Sequence, residues 1–324
     1  MLEVALVTGI SGQDGNYLSK ILIENDYKVV GLVRDKSMFN DSKLEYLSIH
    51  NDVTIEEVDM LDYNSLLEVF EKYKPSKVFN FASQSSVGLS YSIPKETLEF
   101  NIQSLVNLLE CIREINLKIR LFQASSSEIY GNTHTLPINE DTPINPENIY
   151  ATSKAVGHSI IENYRDIFGL HVSSAIFFNH ESALRGDNFV IKKIVSDLVK
   201  IKYNQLDRLV IGNIDIKRDF GYAPKYMEAV YAMLMQEKCD DYVLSSGKSL
   251  SIREIIYYIL DKLGLDRSVI YIDKSLFRVN DIENTYGDST KAFKTLNWSY
   301  DIDFFSVIDE LIQYEKKYNK KVSA

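Results

Sequence analysis

The sequence predicts an α/β protein: a doubly wound parallel sheet with a smaller mixed α/β substrate lobe. Three observations carry this expectation. The chain opens with a short, continuously apolar strand, Val4-Ala-Leu-Val-Thr8, that runs into a glycine-rich turn and an amphipathic helix. Strand-like apolar runs then alternate with helical periodicity as far as Phe178, the pattern of strands joined by crossover helices. Polar residues suited to chemistry gather at or just after the ends of those strands, where open parallel sheets bind their ligands. At 324 residues the chain exceeds the usual single-domain size. The expected division is a first domain over residues 1–178, with a segment returning to it near 212–247, and a lobe made mainly of residues 179–324.

Taken in order, the turn after the first strand reads Gly9-Ile-Ser-Gly12-Gln13-Asp14-Gly15, followed by Leu18, Ile21 and Leu22 on one helical face. Glycines at this spacing let the backbone turn sharply and approach a pyrophosphate, which then sits on a helix N-terminus. Between a strand and an amphipathic helix the motif points to a dinucleotide. The second strand, Lys28–Val33, ends at Arg34-Asp35. An acid there bonds the ribose hydroxyls of NAD, whereas an arginine accommodates the 2′-phosphate of NADP. Arg34 comes first, so NADP is expected, with NAD as the alternative that Asp35 keeps open. A third strand near Glu57-Val58 leads to Asp59-Met60-Leu-Asp62. Asp59 is placed to meet an adenine edge, and Asp62 reads equally well as a helix N-cap. The fourth strand, from Lys77, closes on Phe81-Ala82-Ser83-Gln84-Ser85. Small residues there would let a dinucleotide lie against the strand end, with Ser85 in reach of a substrate. A helix from about Glu96 to Glu114 carries Leu98, Ile102, Leu105, Leu109 and Ile112 at core spacing.

The fifth strand ends in Gln123-Ala-Ser-Ser-Ser-Glu128, and after a proline-broken loop comes Tyr150-Ala-Thr-Ser-Lys154. Tyr150 and Lys154, four apart, share a helical face. A phenol titrates near ~10 and needs a nearby cation to act as a base at neutral pH, and Lys154 is placed to be that cation. Ser126 could bond the same substrate oxygen, and Glu128 could move a second proton. Such a Tyr/Lys pair is commonly a half-buried aromatic and a solvated amine. Its place after a strand end, like that of the other candidates, sets this one apart.

A sixth strand covers His171–Phe178, and Tyr242-Val-Leu resembles a seventh. Arg185, Lys193, Arg218 and Arg278 are candidate anion holders, with Arg218 following a predicted strand over Arg208–Asn213. His180 lacks partners at metal-ligand spacing, so a hydrogen-bonding or packing role is expected and no metal. A helix is expected from about Asp303 to Tyr314. With 36 basic and 46 acidic residues the net charge is −10, which argues against a nucleic-acid surface. No apolar run approaches the ~20 residues of a membrane span, no basic leader precedes Val4, and Cys111 and Cys239 read as ordinary thiols. A cytoplasmic protein is expected, with no membrane partner.

These motifs resemble those of the extended short-chain dehydrogenase/reductases and, more narrowly, the GDP-mannose 4,6-dehydratases. The resemblance runs from Val4 to about Trp298. It rests on Thr8-Gly-Ile-Ser-Gly-Gln-Asp-Gly15, Ser37-Met-Phe-Asn40, Asn80-Phe-Ala-Ser-Gln-Ser85, Gln123–Glu128, Phe178-Asn-His-Glu-Ser182, Phe189–Lys193, Arg218-Asp219 and Phe277-Arg278. It implies a Rossmann sheet and an enzyme that removes water from a GDP-linked sugar. By matched position, Tyr150, Lys154, Ser126 and Glu128 would be catalytic. Gly9, Gly12, Gln13, Asp14, Gly15, Arg34, Asp59, Met60, Phe81, Ala82 and Ser83 would hold NADP together with Tyr150 and Lys154. Ser85, Asn179, Glu181, Arg185, Lys193, Arg218 and Arg278 would hold the nucleotide sugar. The family's segment after Arg34 contributes to an oligomer interface, so a homo-oligomer, dimer or tetramer, is implied. The family usually has Thr at Ser126, Arg at Asp35 and commonly Arg at Leu184, which leaves room for a GDP-manno-heptose in place of GDP-mannose. A nucleotide-sugar epimerase or decarboxylase shares the fold and the Tyr/Lys pair. A non-catalytic, cofactor-bound scaffold is the alternative of another class.

Overall fold

The computed structural model describes residues 2–277 and 282–322. Strands β1 (Val4–Thr8), β2 (Lys28–Val33), β3 (Val53–Glu57), β4 (Lys77–Asn80), β5 (Arg120–Ser126) and β6 (His171–Phe177) follow the expected alternation. Then β7 (Asn179–Glu181), β8 (Leu209–Ile211) and β9 (Lys217–Tyr222) leave the sheet, and β10 (Asp241–Leu244) rejoins it beside β6. The spatial order is β10-β6-β5-β4-β1-β2-β3, with every pair parallel. Strand order reverses between β1 and β4, which opens a crevice at their carboxyl ends.

β1 shows why the sheet holds. Leu6 packs on one side while Ala5 and Val7 pack on the other, and all three are fully buried, as the two-residue period of a strand covered on both faces requires. The first face carries α3 (Tyr63–Tyr73), α5 (Pro94–Ile115) and α6 (Ile149–Phe168). The second carries α1 (Gln13–Glu24) and α8 (Ala223–Met235). Two short helices, α2 (Ser42–Tyr46) and α4 (Val87–Ser90), lie in loops at the strand ends. Asp62 caps α3 by accepting the Asn64 N–H, so its capping reading holds.

The lobe has its own core, built by α7 (Val190–Lys202), α9 (Ile252–Leu263) and α11 (Phe304–Val322) around β8 and Phe220. Strand β9 pairs with β7, with β11 (Ser249–Ser251) and with β13 (Asn284–Thr285), while β8 pairs with β12 (Ile270–Ile272). The segment that rejoins the first domain is α8 with β10, narrower than the expected 212–247, because β9 is already committed to the lobe sheet. A second return was not expected: α10 (Thr290–Leu296) and Trp298 pack into the core around α1 and α8. Buried Asp219 ties the two parts together, accepting the Ser246, Gly247 and Gly287 N–H groups while burial pushes its carboxyl up to about 6. Among the described residues no helix is long and apolar enough to cross a membrane.

Candidate active site

The site begins at the end of β1. Gly9 has φ +68, and a Cβ there would meet Ala82 N at 2.9 Å. A Cβ on Gly15 would meet Gly9 O at 2.7 Å. Side chains are thereby excluded where the turn folds onto itself, and the open N-terminus of α1 faces the crevice. Two chambers meet at this turn and share Gly9, Ala82 and Ser83. The inner one, of about 530 Å³, takes in Gly12, Gln13, Asp14, Gly15 and Phe81 together with Ser85, Ser126, Glu128, Tyr150 and Lys154. The outer one, of about 940 Å³, takes in Arg34, Asp35, Asp59, Met60 and Phe100. A cradle that admits only glycine, opening on both chambers, fits an extended dinucleotide.

A buried polar chain links the turn to the helix of Tyr150. Thr8 Oγ1 donates to Asn80 Oδ1 at 2.5 Å, Asn80 Nδ2 to Gln123 Oε1 at 2.7 Å, and Gln123 Nε2 to the Ala124 carbonyl at 2.9 Å. Lys154 Nζ donates to that same carbonyl at 3.0 Å. The lysine therefore sits on the end of β5, 5.8 Å from the centre of the Tyr150 ring.

The electrostatics differ from expectation. Burial pushes the Tyr150 phenol up to about 12, Ser126 pulls it down, and Glu128 pushes it up further. Lys154 is itself pushed down to about 8 by burial. Desolvation is the largest cause for both groups. Glu128 lies in a short turn after β5, Ser127–Tyr130, where Ser126 Oγ accepts its N–H at 3.3 Å. Its carboxylate accepts from Asn148 Nδ2 at 3.0 Å.

The glycine turn is also bolted to the lobe. Gln13 Nε2 donates to the His180 carbonyl at 2.9 Å and Gln13 Oε1 accepts from Ser182 at 2.8 Å. His180 Nδ1 donates to the Phe178 carbonyl at 2.8 Å, and its Nε2 lies 3.0 Å from Asp14 Oδ1. Burial pushes the Asp14 carboxyl up, but the charge and hydrogen bond of His180 outweigh it and hold it below the usual range. The His180 ring also packs against Phe177 and Tyr226. The expected bonding and packing role is what the structure shows.

The expected substrate holders separate into two groups. Asn179, Arg185 and Arg218 line the inner chamber with Ser85. Arg218 is buried and donates to the Lys217 and Ile282 carbonyls. Glu181 and Lys193 do not line the chamber. Glu181 is buried behind the chamber, 3.5 Å from Arg185 Nε, and burial pushes its carboxyl up. Lys193 turns away to Asp197 at 2.8 Å and the Val210 carbonyl at 2.9 Å, because one helical turn sets Asp197 on its own face. Arg278 lies outside the described residues. Leu184 is core and lines neither chamber. In the outer chamber, Arg34 lies over the Phe100 ring at 5.3 Å. The Asp35 carboxylate folds back to accept the Ser37 N–H at 2.8 Å and hydroxyl at 2.6 Å, which holds it below the usual carboxylate range. Asp59 accepts the Leu61 N–H at 2.9 Å.

Lys43 and Asn148 are among the lining or supporting residues that escaped the sequence reading. Lys43, on α2, donates to the Ser11 carbonyl at 2.7 Å and lines the inner chamber, with no sequence signal to mark it. Asn148 carried a signal, an N-cap residue type just before a helical pattern. Among the described residues one cluster of ligand-like spacing, His158, Glu162 and Asp241, lies along the middle of α6 and at the start of β10. There the Arg165 guanidinium already takes both Asp241 oxygens.

A family model described as GDP-mannose 4,6 dehydratase matches residues 6–311. GDP-mannose 4,6 dehydratase 1 of Arabidopsis thaliana is 37% identical over 330 residues, covering 98% of this chain and 91% of the relative. GDP-mannose 4,6 dehydratase of Drosophila melanogaster is 33% identical over 345 residues, covering 98% and 87%. The fold is similar to that of DesIV, a dTDP-glucose 4,6-dehydratase from Streptomyces venezuelae solved with NAD and TYD bound. Its TM-score is 0.88 at 21% identity, over 97% of each chain.

Proposed function

The chain belongs to the GDP-mannose 4,6-dehydratase family, and on that premise we propose that it converts GDP-mannose, or a GDP-manno-heptose, into the 4-keto-6-deoxy sugar with NADP. It is a nucleotide-sugar 4,6-dehydratase, a hydro-lyase. The observation that carries the finer reading is the meeting of Ser126, Glu128, Tyr150 and Lys154 on one wall of a chamber floored by the glycine turn. A 4-epimerase has no carbon 5 proton to remove, so Glu128 beside Tyr150 supports the dehydratase.

The bound nicotinamide nucleotide would supply the hydride store, accepting from carbon 4 and giving to carbon 6. Tyr150 would take the proton of the sugar's 4-hydroxyl while Ser126 bonds the same oxygen. Lys154, anchored on the Ala124 carbonyl, would offer its remaining donors to the nicotinamide ribose. The ketone formed at carbon 4 acidifies carbon 5, so Glu128 would remove that proton and pass it to the 6-hydroxyl, which leaves as water. The proton taken from the 4-hydroxyl balances the one that carbon 5 takes back. Asn179, Arg185 and Arg218 would hold the GDP portion, with Arg278 expected to join them. Arg34 would meet the 2′-phosphate of NADP. The Asp35 carboxylate, engaged with Ser37, supports NADP over NAD. Met38, 82% exposed in the segment after Arg34, supports a homo-oligomer, dimer or tetramer.

Mass spectrometry of products tests the reading. Purified protein with NADP is offered GDP-mannose and GDP-manno-heptose in separate tubes. Loss of one water from either is expected, and the faster substrate names the sugar. If both stay intact with NADP bound, the proposal falls.

A further inference from the structure

We infer that Asn148 is a positioning residue for Glu128, joining the cap of the Tyr150 helix to the acid/base group that works on carbon 5. The inference rests on the dehydratase reading and adds to it a residue that lines neither chamber. Asn148 is the N-cap of α6, and its side-chain Oδ1 accepts the Ala151 N–H at 2.8 Å. Its backbone carbonyl accepts the Thr152 N–H at 2.8 Å and the Thr152 hydroxyl at 3.0 Å. The far end of the same amide, Nδ2, donates to Glu128 Oε2 at 3.0 Å. This is the one hydrogen bond to that carboxylate among the described residues.

The chemistry at the two ends settles which way the amide points. Ala151 presents a donor and so demands the carbonyl oxygen, whereas Glu128 presents an acceptor and so demands the nitrogen. A flipped amide would set N–H against N–H and oxygen against oxygen. The helix cap therefore dictates where the donor lies, and the donor dictates where Glu128 rests. Glu128 is otherwise carried on a single short turn after β5, with freedom about its own side-chain torsions. The cap belongs to the helix that carries Tyr150 two residues on and Lys154 six residues on. One side chain thus sets the spacing between the group that would deprotonate the 4-hydroxyl and the group that would deprotonate carbon 5. Holding reacting groups within a fraction of an ångström is worth large factors in rate.

The residue type is what makes the inference testable. Asn, Asp and Ser cap helices about equally well. Only Asn combines the cap with a donor of this reach. A carboxylate in place of the Asn148 amide would be a bad neighbour for Glu128, because it sets a second negative charge where the donor stood. Asn148→Asp therefore keeps the cap and reverses the contact. Asn148→Ser keeps the cap and shortens the side chain.

The experiment follows both variants, with wild type beside them, on GDP-mannose and NADP. It combines steady-state kinetics, absorbance of reduced nicotinamide at its near-ultraviolet band, substrate deuterated at carbon 5, and thermal melting. Both variants should melt with wild type. Their kcat for water loss should fall about tenfold to a hundredfold, the scale of a lost hydrogen bond to a charged group, with KM little changed. Reduced nicotinamide should accumulate, and the carbon 5 isotope effect should grow, because proton removal there now lags hydride removal from carbon 4. A merely structural cap would move neither. Variants with wild-type kcat, or with a slower hydride step and no accumulation, overturn the inference while leaving the dehydratase reading intact. A wild type that removes water from neither GDP-mannose nor GDP-manno-heptose, offered in the same way, overturns both.

Discussion

The two chambers are built from neighbouring strand ends, yet they hold their polar groups in different ways. In the inner chamber Lys154, Gln13 and Arg218 are buried, and each is fastened to backbone carbonyls that the sheet or lobe fixes. In the outer chamber Arg34, Asp35 and Asp59 are exposed, and their contacts are the face of the Phe100 ring, a serine two residues on and an N–H two residues on. Buried groups without partners would cost far more than exposed ones, so the inner chamber must be organised before any ligand arrives. The outer chamber is under no such demand. On the proposed reading, chemistry would sit where the fold enforces geometry, and discrimination between cofactors where charges face solvent.

Replacing Tyr150 with Phe tests the inner chamber most severely. The ring packing survives and only the buried hydroxyl is lost, so kcat should fall by about a thousandfold, within the range of a positioned acid/base group. Dinucleotide binding, followed by fluorescence titration, should stay close to wild type. Comparable loss of binding would mean that Tyr150 organises the site more than it moves a proton.

Gly15→Ala addresses the floor that both chambers share. The added Cβ would lie 2.7 Å from Gly9 O, so backbone must shift. A loss of about 1–3 kcal/mol in stability is expected, as for other overpacked positions. Dinucleotide affinity should weaken by about tenfold. Calorimetry gives both numbers, and an unchanged affinity would show that the turn does not cradle the dinucleotide.

Arg34→Ala should have the smallest effect. The preference for NADP over NAD should drop by about tenfold, with kcat at saturating cofactor unchanged. Because Arg34 is exposed, raising ionic strength should narrow the difference between wild type and variant. A salt-insensitive difference would place this cation among the fastened groups and erase the contrast between the chambers.

Much of this was legible in the sequence where the signal was local. The strand, glycine turn and helix at the start could be read because sterics at Gly9 and Gly15 act over a few residues. Tyr150 and Lys154 could be placed on one face because helical spacing is a property of the helix alone. The direction of Lys193 was not legible, since it depends on Asp197 and on the carbonyl of Val210, a strand away. Nor was the burial of Glu181, whose neighbours Asn179 and Arg185 line the chamber. The elements of the lobe were read least well. There β9 binds partners from three separate stretches of chain, and no periodicity announces which strand meets which.

By itself, then, the sequence determined the parallel sheet, the glycine cradle, the helix carrying Tyr150 and Lys154 and the family to which these motifs belong. The first three follow from backbone sterics or from side-chain period within one element, and the family from the resemblance of its motifs. Only the tertiary structure decided that Gln13 and Asp14 clasp the lobe, that the Asp35 carboxylate is taken up by Ser37, that burial lifts the Tyr150 phenol, and that Asn148 reaches Glu128. Those outcomes depend on desolvation and on the direction of one side chain relative to another element, and neither is defined until the chain has packed.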